Sequence, residues 1–260
     1  MAFDLYELRQ GIRPFRLHWF PRLRSTNDHA RAMRQAANLF APAIVLTGHQ
    51  LAGRGRGSNS WWSGAGSLTV TFVLPAETHL QAHQVPLVAG LAVRDAAAEL
   101  AANDNISLKW PNDLLMDGRK LAGLLCERVD KADLVGLGMN LNVNSKHVPK
   151  ALQQKITSLH DLTGGLVDET SALIVIARHL YEALSRRGER PFAETLGRYD
   201  AHHYLINRRV TIINSDAEPA VSGIVQGLDD IGRLVLKTRS GTQRIIAGQV
   251  QLDHFTPCRA

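Results

Sequence analysis

The sequence predicts a mixed α/β domain followed by a small all-β unit. Strand-like and helical runs alternate from about Phe15 to Tyr204, the pattern of a sheet covered by helices. Beyond Tyr204 the chain turns to short strand-like runs parted by turn residues, which suggests a small barrel whose closure removes exposed edges. With 260 residues, 45% of them hydrophobic, there is enough apolar material for one large core and a satellite.

Arg16 to Phe20 and Ala43 to Thr47 have strand character and flank a helix that begins near Ser25 or Thr26, with Asp28 in its first turn, where a carboxylate suits the positive end of the helix. Gln84 to Ala101 and Thr170 to Arg187 carry helical apolar spacing and few breakers. Between them Asp117-Gly118 is a two-residue turn signal, folding Leu114 to Met116 back on Leu121 to Glu127 as a hairpin. In the terminal unit Arg209 to Ile213, Ala220 to Gln226, Leu234 to Thr238 and Gln243 to Ala247 are strand-like, with Asp230-Ile231-Gly232 and Ser240-Gly241 as turns.

A net charge of +6 and a pI near 9.6 suit an acidic partner or a phosphate ligand and leave weak nucleic-acid binding open. Cys126 and Cys258 are far apart and lack ligand spacing, so neither a disulfide framework nor a zinc site is expected. Asp4, Glu7, Arg9 and Arg13 interrupt the N-terminal apolar residues, which excludes a signal-peptide core, and stretches such as Leu173 to Ala177 fall far short of the ~20 residues of a membrane helix. There is no repeat and no low-complexity tract. The expected setting is the cytoplasm, with no membrane partner.

The most unusual segment runs from Gln50 through Gly53-Arg54-Gly55-Arg56-Gly57-Ser58-Asn59 to Trp61-Trp62. Alternating Gly and Arg gives a backbone that wraps closely round a ligand, while two guanidiniums offer forked donors to carboxylate or phosphate. It has neither the P-loop pattern nor a following helix; the alternatives are a flexible surface loop or an RGG-like nucleic-acid tail. A second segment, Lys109-Trp110-Pro111-Asn112-Asp113, is followed across the hairpin by Lys120-Leu121-Ala122-Gly123, placing cations and hydrogen-bonding groups at a strand end. The alternative is a solvated turn with a surface lysine. Ser25-Thr26-Asn27 and Gly136-Leu137-Gly138-Met139-Asn140 read as a helix cap or ligand contacts, and as a close backbone approach or a bulge, respectively.

In this order, the Ser-Thr-Asn, Gln-x-Ala-Gly-Arg-Gly-Arg, Lys-Trp-Pro-Asn-Asp, Lys-Leu-Ala-Gly and Gly-x-Gly-x-Asn blocks resemble the biotin protein ligase family, densely from about Phe15 to Asn144. The resemblance implies an α/β (α+β) fold: a class II aminoacyl-tRNA-synthetase-like catalytic domain over residues 1–205 and a small C-terminal SH3-like β-barrel over residues 206–260. It implies that Ser25, Thr26 and Gln50 contact the biotin ureido ring, with Asn27 in the same group. Gly53, Arg54, Gly55 and Arg56 would form the loop closing over biotin and its phosphate, and Lys120 would sit between the biotin carboxyl and the α-phosphate, with Gly123 against the ligand. Trp61, Asn112 and Asn140 would line the adenylate side, with Lys109 and Asp113 near the phosphates and their metal, Asp113 either helping to hold that metal or orienting the attacking amine. The chain departs from the family where the loop commonly continues Gly-Arg, and has Ser58-Asn59 instead.

The implied reaction uses ATP and Mg²⁺ to adenylate biotin, then transfers the acyl group to a lysine of a biotin carboxyl carrier protein. Arg54, Arg56 and Lys120 are the expected catalytic cations, and no protein nucleophile is needed. Lipoate ligation or octanoyl transfer is the nearest enzymatic rival, and a basic nucleic-acid-binding module the rival from another class. Only 24 residues precede Ser25, too few for a helix-turn-helix unit, so no DNA binding is expected. The expected assembly is a monomer or homodimer.

Overall fold

The computed structural model describes residues 3–77, 79–185, 192–213 and 219–252; Arg187, at the expected end of the second long helix, and Cys258 lie outside them. The main sheet contains β1 (Arg16–Phe20), β2 (Ala43–Thr47), β5 (Ser67–Pro75), β6 (Ser107–Lys109), β7 (Asp113–Met116), β8 (Arg119–Val129) and β9 (Ala132–Asn140). Its spatial order is β1-β2-β5-β9-β8-β7-β6. Between β2 and β5 the Gly/Arg segment forms its own two-stranded hairpin, β3 (Gly53–Arg54) with β4 (Ser60–Trp61). Strands β1 and β2 are parallel and joined across the sheet by α2 (Thr26–Gln35), as a parallel pair requires.

Strand alternation decides the layers. On β2, Ile44 and Leu46 join the large core while Ala43 and Val45 join a smaller one with Ala30 of α2. The large core is completed by α1 (Leu5–Gly11), α3 (Val85–Ala101) and α5 (Glu169–Ser185). Helix α2 therefore covers part of the opposite face and leaves the rest to the site. Ser25 caps α2 by accepting from Asp28 N at 3.3 Å, a contribution of about 1 kcal/mol. The expected hairpin is present, with positive φ at Asp117 and Gly118, as a type I′ turn demands. Two further helices are α4 (Leu159–Thr163) and α6 (Phe192–Ala201).

The terminal unit is a five-stranded antiparallel sheet of β10 (Arg209–Ile213), β11 (Val221–Leu228), β12 (Leu234–Thr238), β13 (Gly241–Ile245) and β14 (Gln249–Leu252), ordered β13-β12-β11-β10-β14. Strand β13 starts before the expected Gln243, and β14 was not foreseen. Among the described residues no ladder joins β13 to β14. The unit docks through backbone carbonyls: Trp110 Nε1 donates to Gly232 O at 3.3 Å, and His83 Nε2 lies 2.9 Å from Ile231 O. Trp110 is 2% exposed, so its segment is a fixed strand end and not a loose solvated turn.

Candidate functional site

Register builds the floor of a cleft. Successive cross-strand partners Thr69, Gly138, Gly123, Asp113 and Lys109 fall in one row across β5, β9, β8, β7 and β6. Directly opposed residues share a face, so two glycines form a trough with a carboxylate and an ammonium at one end. The pairing of β5 with β9 runs unbroken from Ser67 to Pro75, so the Gly-x-Gly-x-Asn pattern is a close approach and not a bulge. A Cβ on Gly138 would stand 2.2 Å from the Trp61 ring, and one on Gly136 2.1 Å from Asn27 Oδ1.

The cleft has a volume of about 880 Å³. Its lining includes every residue anticipated from the sequence except Gly53. Gly53 stands behind the wall, where a side chain would meet Trp61 O at 2.5 Å and Gln50 Nε2 at 2.6 Å. Sequence reasoning missed Trp62, Leu152, Ile156 and the terminal-sheet residues Ile213, Gln249 and Val250, which also line it. Trp62 closes the singled-out Gly/Arg segment and Ile213 a strand-like run, but nothing in the sequence marks either as lining, and no motif covers the others.

At the α2 end, Gln50 Oε1 accepts from Thr26 N at 2.9 Å and Thr26 Oγ1 lies 3.3 Å away. With its oxygen committed, the Gln50 amide has donor capacity left for a ligand. Thr71 Oγ1 stands 2.9 Å from Thr26 Oγ1 and 2.6 Å from Asn27 Oδ1, and Asn27 Nδ2 donates to Leu125 O and Glu127. Asn27 is 3% exposed and its polar atoms are satisfied within the protein, so it fixes the cap of α2 in place. Asn140 is similar: its Nδ2 serves Lys120 O and Thr157 O at 3.2 and 3.0 Å.

At the other end Lys120 Nζ lies 2.7 Å from Asp113 Oδ1 and 5.6 Å above the Trp61 ring. The Lys120 backbone is held on both sides, by Lys155 O at 2.8 Å and Thr157 N at 3.0 Å. Gly123 makes room for the side chain, since a Cβ there would meet Lys120 Cε at 2.9 Å. Burial lowers the pKa of Lys109 below that of an ordinary lysine, opposed by Asp113 and reinforced by Lys120. Burial also lowers that of Arg56, again opposed by Asp113. Three cations thus surround Asp113, the one carboxylate among the described lining residues. Partly desolvated cations with too few counter-charges favour an anionic ligand. Trp61 Nε1 is buried without a partner among the described residues.

The two loop arginines differ. Arg54 is tied to Asp28 at 2.7 Å and Glu127 at 3.2 Å, while Arg56 faces the cleft. This division does not suit a freely exposed RGG-like tail. At the hairpin tip Gly57 has φ +60°, Asn59 donates through N and Nδ2 to Arg56 O at 3.2 and 3.0 Å, and Gly55 N donates to Asn59 O at 2.7 Å. Asn59 thus fastens the tip. No group of three or more metal-ligating His, Cys, Asp or Glu side chains occurs among the described residues, and none of their helices is long and apolar enough to cross a membrane.

The profile of the biotin/lipoate A/B protein ligase family matches residues 19–144, and that of the biotin protein ligase C-terminal domain matches residues 205–253. A biotin acetyl-CoA-carboxylase ligase of Paracoccus denitrificans is 31% identical over 236 residues, covering 87% of this chain and 97% of that protein. The corresponding ligase of Mycobacterium tuberculosis is 31% identical over 231 residues, covering 87% and 85%. Among solved structures, the biotin protein ligase of Aquifex aeolicus in complex with biotin and ATP superposes with a TM-score of 0.80 at 28% identity, covering 92% of this chain and 98% of that one.

Proposed function

The chain belongs to the biotin protein ligase family and is an ATP-dependent biotin ligase, and from that premise we propose how its cleft divides the work. The observation that carries the proposal is the cluster of Arg56, Lys109 and Lys120 around Asp113, above the glycine floor and in one cleft with Gln50. The ureido ring is held at the Ser25, Thr26 and Gln50 end, where the free Gln50 donor meets its carbonyl. The carboxylate then lies toward Lys120, and ATP occupies the end formed by Lys109, Asn112 and the terminal sheet.

In the first step a biotin carboxylate oxygen attacks the α-phosphorus, the bond to the β-phosphate bridge breaks, and pyrophosphate leaves. Lys120 and Arg56 offset the negative charge of the converging oxygens, an electrostatic contribution that grows toward the transition state. In the second step a carrier lysine, as its neutral amine, attacks the acyl carbon; AMP leaves and the amine nitrogen loses a proton. The carrier is a biotin carboxyl carrier protein. Asp113, the single carboxylate of the described lining, would be the side chain to help hold a Mg²⁺, which would neutralise phosphate charge. The division into residues 1–205 as the catalytic domain and 206–260 as the C-terminal unit belongs to the same proposal.

Gln50→Ala tests the subsite assignment by calorimetric titration. Loss of a buried donor to the ureido ring weakens biotin by about 1 to 3 kcal/mol, while ATP measured without biotin keeps its affinity. Equal losses for both ligands would overturn the assignment.

A further inference from the structure

The mechanism leaves two carboxylates of the described residues beside the cleft, Glu127 and Asp28, without a task. Glu127, near the end of β8, has a side chain 18% exposed and is a junction of three elements. It accepts from Asn27 Nδ2 at 2.9 Å, pairs with Arg31 of the same helix α2, and accepts from Arg54 of β3 at 3.2 Å. The same Arg54 nitrogen lies 2.7 Å from Asp28 Oδ1, also on α2. Arg54 is the root of the hairpin whose tip is fastened by Asn59 and which carries Arg56 into the cleft. From Glu127 the contacts continue through Asn27, Thr71 and Thr26 to Gln50. The junction thus joins the root of the covering loop to the proposed ureido pocket.

An exposed ion pair usually contributes little to global stability. A hairpin of nine residues, Gly53 to Trp61, fastened at its root by Arg54 is a different case: where a short loop opens and closes over a ligand, a small contact shifts the balance. We propose that Glu127, assisted by Asp28, is a positioning residue that latches the hairpin through Arg54, so that the biotinyl adenylate escapes only when this contact breaks. The inference rests on the adenylate-forming reading of the cleft. It assigns Arg54 to holding the loop shut and leaves Arg56 as the loop cation that meets the ligand.

The test is a double-mutant cycle on the dissociation rate of the preformed adenylate, with thermal melts alongside. Arg54→Gln raises the dissociation rate about fivefold, Glu127→Gln raises it less because Asp28 still holds Arg54, and the double variant releases no faster than Arg54→Gln alone. Adenylate formation at saturating substrates changes less than release does. Raising the salt concentration speeds release in the wild type and has little effect in Arg54→Gln. Should Glu127→Gln melt early, Asp28→Asn serves in its place, since the Asp28 side chain is 50% exposed and meets Arg54; its smaller effect vanishes in the Arg54→Gln background. Unchanged release rates in the single variants, or a double variant whose effect is the product of the two, would overturn the latch while leaving the ligase reading intact. A wild type that forms no biotin-dependent adenylate would overturn both.

Discussion

Gly138→Ala places one methyl group at the centre of the cleft floor. The added Cβ would stand 2.2 Å from Cε2 and 2.6 Å from Cδ2 and Cζ2 of Trp61. Ordinary van der Waals contact requires about 3.5 to 4.0 Å between carbons, so the indole must retreat by more than an ångström. The ring is the end of β4 and lies beneath the Lys120 ammonium, so its retreat carries the Gly/Arg hairpin and the lysine with it. Overpacking of this kind costs about 1 to 3 kcal/mol of stability, and a misplacement near 1 Å at reacting groups costs on the order of a hundredfold in rate. Biotin-dependent pyrophosphate release therefore falls about a hundredfold in a protein that still melts cooperatively. Wild-type release at an unchanged melting temperature would refute the cross-strand register on which the floor depends.

Gly66 has φ +84°, and a Cβ there would lie 2.3 Å from the Asn142 carbonyl carbon; Gly66→Ala loses about 2 kcal/mol or more in a denaturant titration, and an unchanged midpoint would contradict that contact. Cys126 is half-buried, and desolvation pushes its thiol well above its ordinary value, so it reacts slowly with a maleimide near neutral pH until the protein is unfolded; rapid labelling of the native protein would contradict that shift. Biotin supports ATP-pyrophosphate exchange and lipoate does not; equal exchange with both would place the chain with the lipoate branch of its broader family.

Much of the fold was legible because local signals and tertiary structure agree. Arg16 to Phe20, Ala43 to Thr47, Arg209 to Ile213 and Leu234 to Thr238 are bounded as expected, each set off by breakers or turn residues. Strand β14 escaped notice because Gln249 to Leu252 is short and alternates polar residues with single aliphatic ones, a pattern given meaning only by its partner β10. The motif blocks brought together the residues of one cleft, but not their division of labour. Arg54 and Arg56 are equivalent in the Gly-Arg-Gly-Arg repeat. They differ because Asp28 and Glu127, remote from the repeat and from each other in sequence, claim Arg54. Register was hidden in part: Lys109, Asp113, Gly123 and Gly138 are aligned by pairing of consecutive strands, whereas Thr69 joins the row only through the long-range pairing of β5 with β9.

The central claim is that Lys120, held over Trp61 beside Asp113, is the cation that makes the biotin carboxylate and the α-phosphate reactive toward each other. The direct measurement is single-turnover formation of biotinyl adenylate by the wild type and Lys120→Ala at saturating biotin and ATP, with thermal melts of both. Loss of a preorganised charge at the reacting oxygens predicts a fall of about a hundredfold or more with little change in melting temperature. A Lys120→Ala protein that forms adenylate at the wild-type rate would contradict the account.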